Sequence, residues 1–317
     1  MRVLVTGGAG YIGSTAAALL ISAGYEVTVL DDLSTGHADA VPSQAKFING
    51  SLLSDSDLDS ALQGCDAVMH FAAKSLVGES VKQPELYQAV NFGGSAALFA
   101  KMKDFGITKL VFSSTAATYG EPERVPISET DLPMPKNPYG QSKLKTDELI
   151  KNSGLSAISL RYFNVAGAFK STSGWLAERH NPETHLIPNV LRATSDHPVK
   201  IFGTDWPTAD GTCIRDYIHV VDLIEAHIKA LQKLPENSHE IINLGSGSGY
   251  SVREVITAAE LAVGRSIPHE ASERRAGDPA VLIADITKAK KYLDWQPTRD
   301  LNQMVLDTWR ALESLSQ

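Results

Sequence analysis

The sequence predicts an α/β protein built on a doubly wound parallel sheet, with a smaller C-terminal lobe. Three observations predict this fold: short, continuous apolar runs of strand length, helical patterns between them, and a glycine-rich turn that joins the first run to the first helix. Strands that are apolar on both faces are typical of parallel sheets covered by helices. The chain has 317 residues, 43% of them hydrophobic, which is enough for a large core and two domains.

The elements alternate along the first half of the chain. Six apolar runs predict buried strands, at residues 3–6, 27–30, 67–71, 110–113, 157–161 and 241–244. Helical patterns lie at residues 12–22, 85–103, 142–152 and 220–231. The stretch 168–211 is rich in Gly, Pro, Thr, Asn and His, and is predicted as loop around one helix at 188–195.

Composition excludes several classes of function. The net charge of −8 does not favour a nucleic-acid partner. The two cysteines, Cys65 and Cys213, are far apart and lack metal-ligand spacing, so no metal is expected. The first apolar run is too short for a signal peptide, and no stretch reaches the roughly 18 apolar residues of a membrane span. We therefore expect a cytoplasmic protein with no membrane partner.

A glycine-rich turn follows the first predicted strand and opens the first helix. Gly7, Gly10 and Gly13 are spaced as G-x-x-G-x-x-G, with Tyr11 and Ile12 between the last two. Small residues let the backbone approach a pyrophosphate, whose charge is stabilised by the free N–H groups and dipole of the helix. Helix–strand packing alone would explain the glycines, but the strand–turn–helix context favours a dinucleotide site.

An acidic residue ends the second predicted strand. Asp31 and its neighbour Asp32 directly follow residues 27–30. A carboxylate here can accept hydrogen bonds from a ribose hydroxyl and would repel a 2′-phosphate. A turn-forming aspartate is the simpler explanation. The position after the second strand and the lack of an arginine beside Asp31 favour NAD over NADP as the cofactor.

Tyr139 and Lys143 are the residues that most directly suggest chemistry. Four positions apart on a helix, they share one face and can act on one substrate atom. A phenol with a reference pKa of about 10 is a poor base at neutral pH, and a nearby ammonium group lowers that pKa. The pair therefore predicts proton transfer to and from an alcohol, the counterpart of hydride transfer to NAD.

These motifs resemble the extended short-chain dehydrogenase/reductase family, whose fold is of the Rossmann type. Further runs, at residues 71–73, 77–80, 161–164, 211–220 and 274–278, resemble its UDP-glucose 4-epimerase branch. The resemblance covers nearly the whole chain. It implies an NAD-dependent isomerase that interconverts UDP-galactose and UDP-glucose through a transient 4-keto sugar. Leu282 adds the expectation that UDP-N-acetylhexosamines are also accepted.

The resemblance implies roles for particular residues. Tyr139 would exchange the proton of the sugar 4-hydroxyl, Thr115 would bond the same oxygen, and Lys143 would bind the nicotinamide ribose and lower the pKa of Tyr139. The other implied cofactor contacts are Gly7, Gly10, Tyr11, Ile12, Gly13, Asp31, Asp32, Leu33, Ser34, Thr35, Gly36, Ser51, Leu52, Phe71, Ala72, Ala73, Ser75 and Phe163.

The substrate side follows from the same resemblance. Arg215 and Arg275 would hold the diphosphate, because a planar guanidinium donates several hydrogen bonds to phosphate oxygens; surface arginines paired with carboxylates are the alternative. The other implied contacts are Ser75, Thr115, Tyr139, Asn164, His185, Leu186, Lys200, Ile201, Phe202 and Asp278. Local structural roles would also explain Thr115 and His185.

Two alanines discriminate between relatives. Ala116 and Ala117 follow Thr115, where dehydratases of the superfamily usually carry Asp-Glu and decarboxylases carry Glu. Alanine transfers no proton, so the sequence disfavours elimination and decarboxylation. Oxidation at one carbon, with return of the hydride, is the chemistry that remains.

Three positions depart from the family pattern. Ser51 stands where an Asp usually contacts adenine, and Ser75, after Lys74, stands where some epimerases have Lys. Leu282 stands where some epimerases have Tyr. A smaller side chain at this position leaves more room around the sugar C2 group, which is the reason to expect N-acetylated substrates.

Other functions are compatible with the same residues. Another UDP-sugar 4-epimerase (pentose or N-acetylhexosamine) or an NAD-linked nucleotide-sugar reductase would use the same site, and a non-catalytic NAD-sensing protein would share the fold.

The predicted domains are 1–167 for NAD, with a return segment at about 219–246, and 168–218 with 247–317 for the nucleotide sugar. The resemblance implies a homodimer through the helices at 85–103 and 142–152, although burial within one subunit explains their apolar faces equally.

Overall fold

The computed structural model of the protein describes residues 1–275 and 277–315, so Ala276, inside the predicted motif 274–278, lies outside the described residues. The strands are β1 (Arg2–Thr6), β2 (Glu26–Asp31), β3 (Lys46–Asn49), β4 (Ala67–His70), β5 (Lys109–Thr115), β6 (Ser156–Tyr162), β7 (Asn164–Ala166), β8 (Phe169–Ser171), β9 (Gly174–Leu176), β10 (Val199–Phe202), β11 (Ile214–Arg215), β12 (Tyr217–His219), β13 (His239–Leu244), β14 (Tyr250–Ser251), β15 (His269–Ser272) and β16 (Val281–Leu282). The helices are α1 (Tyr11–Ser22), α2 (Asp55–Leu62), α3 (Val77–Lys82), α4 (Pro84–Tyr87), α5 (Gly94–Asp104), α6 (Pro138–Lys151), α7 (Leu186–Arg192), α8 (Val220–Gln232), α9 (Val252–Val263) and α10 (Leu301–Leu315).

A seven-stranded parallel sheet forms the centre of the fold, in the order β13-β6-β5-β4-β1-β2-β3. The predicted doubly wound α/β fold is therefore confirmed. Each of the six predicted strands lies in this sheet, with ends within two residues of the prediction. The seventh strand, β3, was missed because it is a short edge strand with two polar residues among its four.

The direction of winding reverses between β1 and β4. From β1 the chain adds β2 and β3 on one side, whereas β4, β5, β6 and β13 extend the other side. Loops at the carboxyl ends of β1 and β4 therefore diverge and leave a crevice, the usual ligand site of such sheets. The glycine turn and residues 71–73 follow these two strands, and a Cβ built on Gly7 would lie 2.7 Å from the Ala72 nitrogen.

Three helix predictions need correction. Residues 85–103 do not form one regular helix, because a π-helical segment, Gln88–Gly93, separates α4 from α5. Its buried Asn91 side chain bonds the backbone nitrogen and oxygen of Lys74, at 2.8 and 3.0 Å. Helix α6 begins at Pro138, earlier than predicted, because Asn137 caps its first turn by accepting a hydrogen bond from the Gly140 nitrogen at 2.9 Å.

Helix α7 also begins and ends earlier than the predicted 188–195. The loop-rich stretch around it contains short strands, β8, β9 and β10, that the sequence pattern did not predict. Strands β8 and β9 pair with each other, and β10 pairs with β15. These small sheets give the substrate-side segment a fixed shape.

Apolar clusters cover both faces of the central sheet. One contains side chains of α1 and α8, and the other contains side chains of α2, α5 and α6. A further cluster joins α7, β10, α9 and α10 away from the sheet. Ile286, Ala289, Leu293 and Trp295 belong to the first cluster, so part of the C-terminal stretch packs with the sheet. None of the described helices is both long enough and apolar enough to cross a membrane.

Candidate active site

The glycine turn leaves the start of α1 open to a ligand. Gly10 is the residue before the helix and, within the described residues, no side chain caps the first turn. A Cβ built on Gly10 would meet only the Gly7 oxygen, at 3.4 Å, whereas one on Gly13 would lie 2.1 Å from that oxygen. Gly13 thus allows the helix to approach the strand, and Gly10 leaves room beside the first N–H groups. This arrangement fits a dinucleotide pyrophosphate.

Asp31 is fixed beside this turn by two backbone hydrogen bonds. Its Oδ2 accepts a hydrogen bond from the Ala9 nitrogen at 2.9 Å, and its Oδ1 accepts one from the Leu33 nitrogen at 2.8 Å. Burial raises the pKa of Asp31, and these two N–H groups oppose that rise. Each carboxylate oxygen has capacity for a further hydrogen bond, so the site also fits the ribose hydroxyls of NAD. Asp32 is exposed and accepts a hydrogen bond from the Ser34 nitrogen.

Tyr139 and Lys143 lie on the buried side of α6, over the ends of β5 and β6. The Lys143 side chain is 3% exposed. Its Nζ donates a hydrogen bond to the Ser113 carbonyl at 2.8 Å and lies 4.8 Å from the centre of the Phe112 ring. Tyr139 is partly buried, and its ring meets Tyr87 edge to face.

Small residues bring α6 close to the turn after β5. A Cβ built on Gly140 would lie 2.5 Å from the Ala117 oxygen. The Thr115 hydroxyl accepts a hydrogen bond from the Ala117 nitrogen at 3.2 Å, so the local structural role considered for Thr115 is present. The same hydroxyl also bonds Tyr139 and thereby opposes the rise in the tyrosine pKa. Thr115, Tyr139 and Lys143 are therefore brought together.

The ionisation of this group differs from expectation at one residue. Burial lowers the pKa of Lys143 to about 8, and the carboxylate of Asp147 opposes that fall. The pKa of Tyr139, in contrast, is raised above its ordinary value, because burial outweighs the hydrogen bond with Thr115. The expectation of a lowered Tyr139 pKa is thus wrong for the protein's own groups: desolvation of the phenolate dominates.

A cavity of about 550 Å³ lies on the substrate side of the crevice. Eight of the predicted substrate residues line it, namely Asn164, His185, Leu186, Lys200, Phe202, Arg215, Arg275 and Asp278. Tyr11, predicted as a cofactor contact, lines it as well, and its hydroxyl donates a hydrogen bond to the Gly167 carbonyl at 2.6 Å. Ile201 does not line the cavity, because alternate side chains of β10 point to opposite faces and that of Ile201 is 2% exposed in the core.

Two arginines bring positive charge to this cavity. The Arg275 guanidinium lies 3.8 Å from the centre of the Phe202 ring. Arg215 is largely buried, and its Nη2 lies 3.6 Å from Asp278 Oδ2. The alternative considered from the sequence, an arginine paired with a carboxylate, is therefore present, because Arg215 lies beside Asp278. A long contact of this kind leaves guanidinium N–H groups free to bind a diphosphate.

His185 lies at the rim of the cavity among other charged groups. Its Nδ1 lies 2.7 Å from Glu183 Oε1 and 3.8 Å from Glu178 Oε2, and His180 bonds Glu178. Burial alone would lower the pKa of His185, but its hydrogen bond to Glu183 and the two carboxylate charges outweigh burial and raise it. These contacts stabilise the charged form of His185 relative to a free imidazole.

The remaining predicted cofactor residues lie around the ends of β2, β3 and β4. Ser51 accepts a hydrogen bond from the Leu53 nitrogen at 3.2 Å, and Leu52 is buried against α5. Ser75 is exposed, and Phe163 lies partly buried between β6 and β7. The residues of the β2 loop and the β4 loop are Leu33, Ser34, Thr35, Gly36, Phe71, Ala72 and Ala73, all at the same edge of the sheet.

Sequence reasoning missed several residues of this region. Glu178 and Asn189 line the cavity, although no motif included them. Cys213 and Tyr217 line it as well, although the resemblance at residues 211–220 implied a role only for Arg215. Asp147 lies one helical turn beyond Lys143 and is 3% exposed. The signal for Asp147 was present, because an acidic residue four positions after a predicted catalytic lysine shares its helix face.

Comparisons with known proteins agree with this geometry. The family model described as "NAD dependent epimerase/dehydratase family" matches residues 3–245. A UDP-glucose 4-epimerase of Corynebacterium glutamicum is 48% identical, over 99% of this chain and 97% of that protein.

Solved structures give the same result at the level of the fold. A UDP-glucose 4-epimerase of Stenotrophomonas maltophila, with bound NAD and formylated UDP-arabinopyranose, has a TM-score of 0.95 at 39% identity and covers 100% of this chain and 99% of its own. A UDP-glucose 4-epimerase of Brucella ovis in complex with NAD has a TM-score of 0.93 at 41% identity, over 98% and 97% of the two chains. The chain belongs to the NAD dependent epimerase/dehydratase family.

Proposed function

We propose that the protein is an isomerase that catalyses the reversible C4 epimerisation of UDP-galactose and UDP-glucose, with tightly bound NAD as its cofactor. The observation that carries this proposal is the group formed by Tyr139, Lys143 and Thr115 beside a dinucleotide site, with alanines at 116 and 117. The names of the relatives favour this activity over a reductase or an NAD-sensing protein.

The proton is handled by three side chains. When bound, NAD supplies a reversible acceptor for the C4 hydride. Tyr139 takes the proton of the 4-hydroxyl as the 4-keto sugar forms, and returns it to the oxygen after the sugar has presented its other face. Thr115 bonds that oxygen and orients it toward Tyr139. The charge of Lys143 favours the phenolate and binds the nicotinamide-ribose hydroxyls.

The cavity holds the nucleotide end of the substrate. Arg215 and Arg275 bind the diphosphate, with His185 adding charge at the rim. The β10 segment around Lys200 and Phe202 holds the uracil, and Asn164 and Asp278 bind hydroxyls. Ile201 contributes only backbone groups, since its side chain lies in the core. The remaining predicted cofactor contacts, from Gly7 to Phe163, surround the NAD site.

Larger-scale assignments are part of the same proposal. The NAD domain comprises residues 1–167 with the segment at about 219–246, and the rest forms the sugar-nucleotide lobe, apart from the residues at 286–295 that pack with the sheet. Helices α4, α5 and α6 pair with those of a second copy in a homodimer. In support, Leu86, Val90, Ala97, Leu144 and Leu149 are only partly buried, whereas Leu98 is buried within the subunit.

Two unpaired cysteines agree with a cytoplasmic location.

The test is an assay of the purified protein with NAD and UDP-galactose, coupled to detection of UDP-glucose. We expect turnover without net NADH formation. Net NADH would indicate a reductase, and absence of turnover with any UDP-sugar of a panel that includes pentoses and N-acetylhexosamines would contradict the proposal.

The role of Tyr139 is tested by Tyr139→Phe. Removing the hydroxyl eliminates proton transfer but preserves the ring, so kcat should fall by about 100-fold or more while NAD binding, followed by protein fluorescence, is retained. Tyr87→Phe is the matched control, because it removes a neighbouring phenol that bonds Leu76 and Glu79. An unchanged kcat in Tyr139→Phe would show that another group moves the proton.

A further inference from the structure

A buried carboxylate lies beneath the proposed proton-transfer pair. Asp147 belongs to the inner face of α6, and its Oδ2 accepts hydrogen bonds from Arg161 Nε at 3.1 Å and Nη2 at 2.8 Å. The same oxygen accepts a hydrogen bond from Ser114 Oγ at 3.1 Å. Ser114 is in β5 and Arg161 in β6, so one carboxylate oxygen joins the helix to two adjacent strands.

The strands that Asp147 joins are those beneath the proposed catalytic group. Ser114 directly precedes Thr115, and Ser113 provides the carbonyl that accepts the hydrogen bond from Lys143. Arg161 precedes Tyr162, whose hydroxyl bonds that of Ser113. A shift of α6 along the strands would therefore break the Asp147 contacts and misplace Tyr139 and Lys143 together.

Stability alone is a poor explanation for this ion pair. Arg161 is 1% exposed and Asp147 is 3% exposed, and apolar residues of similar volume commonly stabilise such a site as well or better. Moreover, Asp147 Oδ1 is buried and has no hydrogen-bond partner among the described residues. An unsatisfied carboxylate oxygen is costly, so the charge itself calls for an explanation.

Lys143 provides that explanation. It lies four residues before Asp147, on the same helix face, and its ammonium is buried between the Phe112 ring and the Ser113 carbonyl. An ammonium in such surroundings tends to lose its proton unless an anion is near. Asp147 is the anion that opposes this loss.

We propose that Asp147 is a positioning residue of the proton-transfer site: it fixes α6 over β5 and β6 through Ser114 and Arg161, and its carboxylate keeps Lys143 charged. The proposal rests on the proposed function of Tyr139 and Lys143. It assigns the buried ion pair to catalysis, without any contact between Asp147 and substrate or cofactor.

The other groups around this site keep one charge state between pH 7 and pH 9. Burial lowers the pKa of His70 to about 3 and also lowers that of His239, so both imidazoles are neutral. Arg161 stays charged. Burial raises the pKa of each facing tyrosine, namely Tyr87, Tyr119, Tyr139 and Tyr162. Lys143 is therefore the group of this set that titrates in that interval.

The first test compares Asp147→Asn with Glu148→Gln. Both remove one negative charge from α6, but Glu148 is exposed. In Asp147→Asn we expect the alkaline limb of the kcat/KM profile for UDP-galactose to move to lower pH by about one unit or more. Glu148→Gln should leave the limb in place, and Asp147→Glu, which retains the charge, should restore it. A loss that is uniform across pH would overturn the charge role.

The second test measures Lys143 directly and needs no substrate. With lysine ¹³C-labelled at Cε, the Lys143 resonance, identified by its absence from Lys143→Met, should titrate near pH 8 in the native protein. It should titrate at lower pH in Asp147→Asn. An unchanged midpoint would overturn the proposal even if the native protein proved inactive toward UDP-sugars, which would separately refute the proposed function.

A double variant guards against misfolding. Asp147→Asn leaves Arg161 charged and unpaired in the interior, which can unfold the chain. Asp147→Asn combined with Arg161→Met removes both charges, so we expect it to fold and still show a lower Lys143 midpoint, with a smaller displacement than in Asp147→Asn. A native midpoint in both the double variant and Arg161→Met would mean that Asp147 does not act on Lys143.

Discussion

At the residue scale, the site depends on a lysine that must stay charged in apolar surroundings. Within residues 1–275 and 277–315, Lys143 has one hydrogen bond, to Ser113, and its ammonium contacts one aromatic ring, that of Phe112. Neither carries a full negative charge. We therefore expect the ionisation of Lys143 to control the pH range in which the proposed site is active.

The first prediction concerns pH. Burial lowers the pKa of Lys143 to about 8, with Asp147 opposing, so the ammonium is present below that pH and is lost above it. Because the ammonium favours the Tyr139 phenolate, we expect kcat/KM to fall as pH rises through about 8. A profile from pH 6 to 10 measures this, with thermal unfolding at each pH to exclude denaturation. A rate that still rises at pH 9.5 would contradict the role of Lys143.

Two adjacent arginines allow a matched test of diphosphate binding. Arg275 lines the cavity, whereas Arg274 pairs with Asp205 and stacks on Trp206. Losing a charge-assisted hydrogen bond costs about 1.5–3 kcal/mol, so Arg275→Met should raise KM for UDP-galactose by about tenfold or more with little change in kcat. Arg274→Met should leave KM near its native value. Equal effects of the two changes would argue against a diphosphate contact at Arg275.

Leu282 tests the range of sugars. It pairs with Arg215 in the small sheet of β11, β14 and β16, and is partly buried beside the cavity arginine. Its size leads us to predict turnover of UDP-N-acetylglucosamine as well as UDP-glucose. Leu282→Tyr should lower the rate with the acetylated sugar selectively, while Leu282→Ile, of equal volume, should not. If the ratio of the two rates is the same in all three proteins, Leu282 does not select the substrate.

The structure brings together residues that the sequence analysis named. Tyr139 and Lys143 lie on one helix turn, and eight of the predicted substrate residues line one cavity. The pairing of Asp147 with Arg161 could not be predicted, because it depends on which strand lies beneath α6. The predicted fall in the pKa of Tyr139 was wrong for a similar reason, since the burial that raises it is a property of the folded chain.

At the element scale, the start of α1 lies very close to the turn that follows β1. The helix begins so near the strand that Gly13 has no room for a methyl group beside the Gly7 carbonyl. The first N–H groups of the helix are aimed at the crevice by this approach. The position of the helix, and not a side chain, would create the proposed anion site.

Gly13→Ala tests this approach. The added Cβ would lie 2.1 Å from the Gly7 oxygen, so we expect α1 to move, NAD affinity to fall by about tenfold or more, and the melting temperature to drop. Gly78→Ala is the control, because its Cβ meets nothing within 4 Å and alanine favours the helix. Calorimetric NAD titration and thermal unfolding measure both effects. Native affinity in Gly13→Ala would show that the approach is not needed.

Strands and helices were predicted correctly where the local sequence pattern is strong. The apolar runs identified six of the seven sheet strands because buried parallel strands need no alternation. The π-helical segment was missed because it is stabilised by Asn91 bonding a backbone 17 residues away, which no local pattern records. The start of α6 was missed although Asn137-Pro138 is a strong helix start.

At the scale of the whole molecule, the cavity is assembled from segments that are distant in sequence. Tyr11, Asn164, Arg215 and Arg275 all line it. Asp216 joins several of these segments, since it accepts hydrogen bonds from the backbone of Ser246, Gly247 and Ala284. Composition predicted a large core. The meeting of these segments at one cavity could not be predicted, because it depends on the order of the strands in the sheet.

The position of β13 has a consequence for synthesis of the chain on the ribosome. Six strands of the sheet are complete once β6 has emerged, yet the partner that covers β6 is β13, which begins only at His239. Until then β6 is an open sheet edge, a surface that pairs readily with other chains. We therefore expect a nascent chain that stalls between these strands, or one cut short there, to aggregate and not to persist as a smaller nucleotide-binding protein.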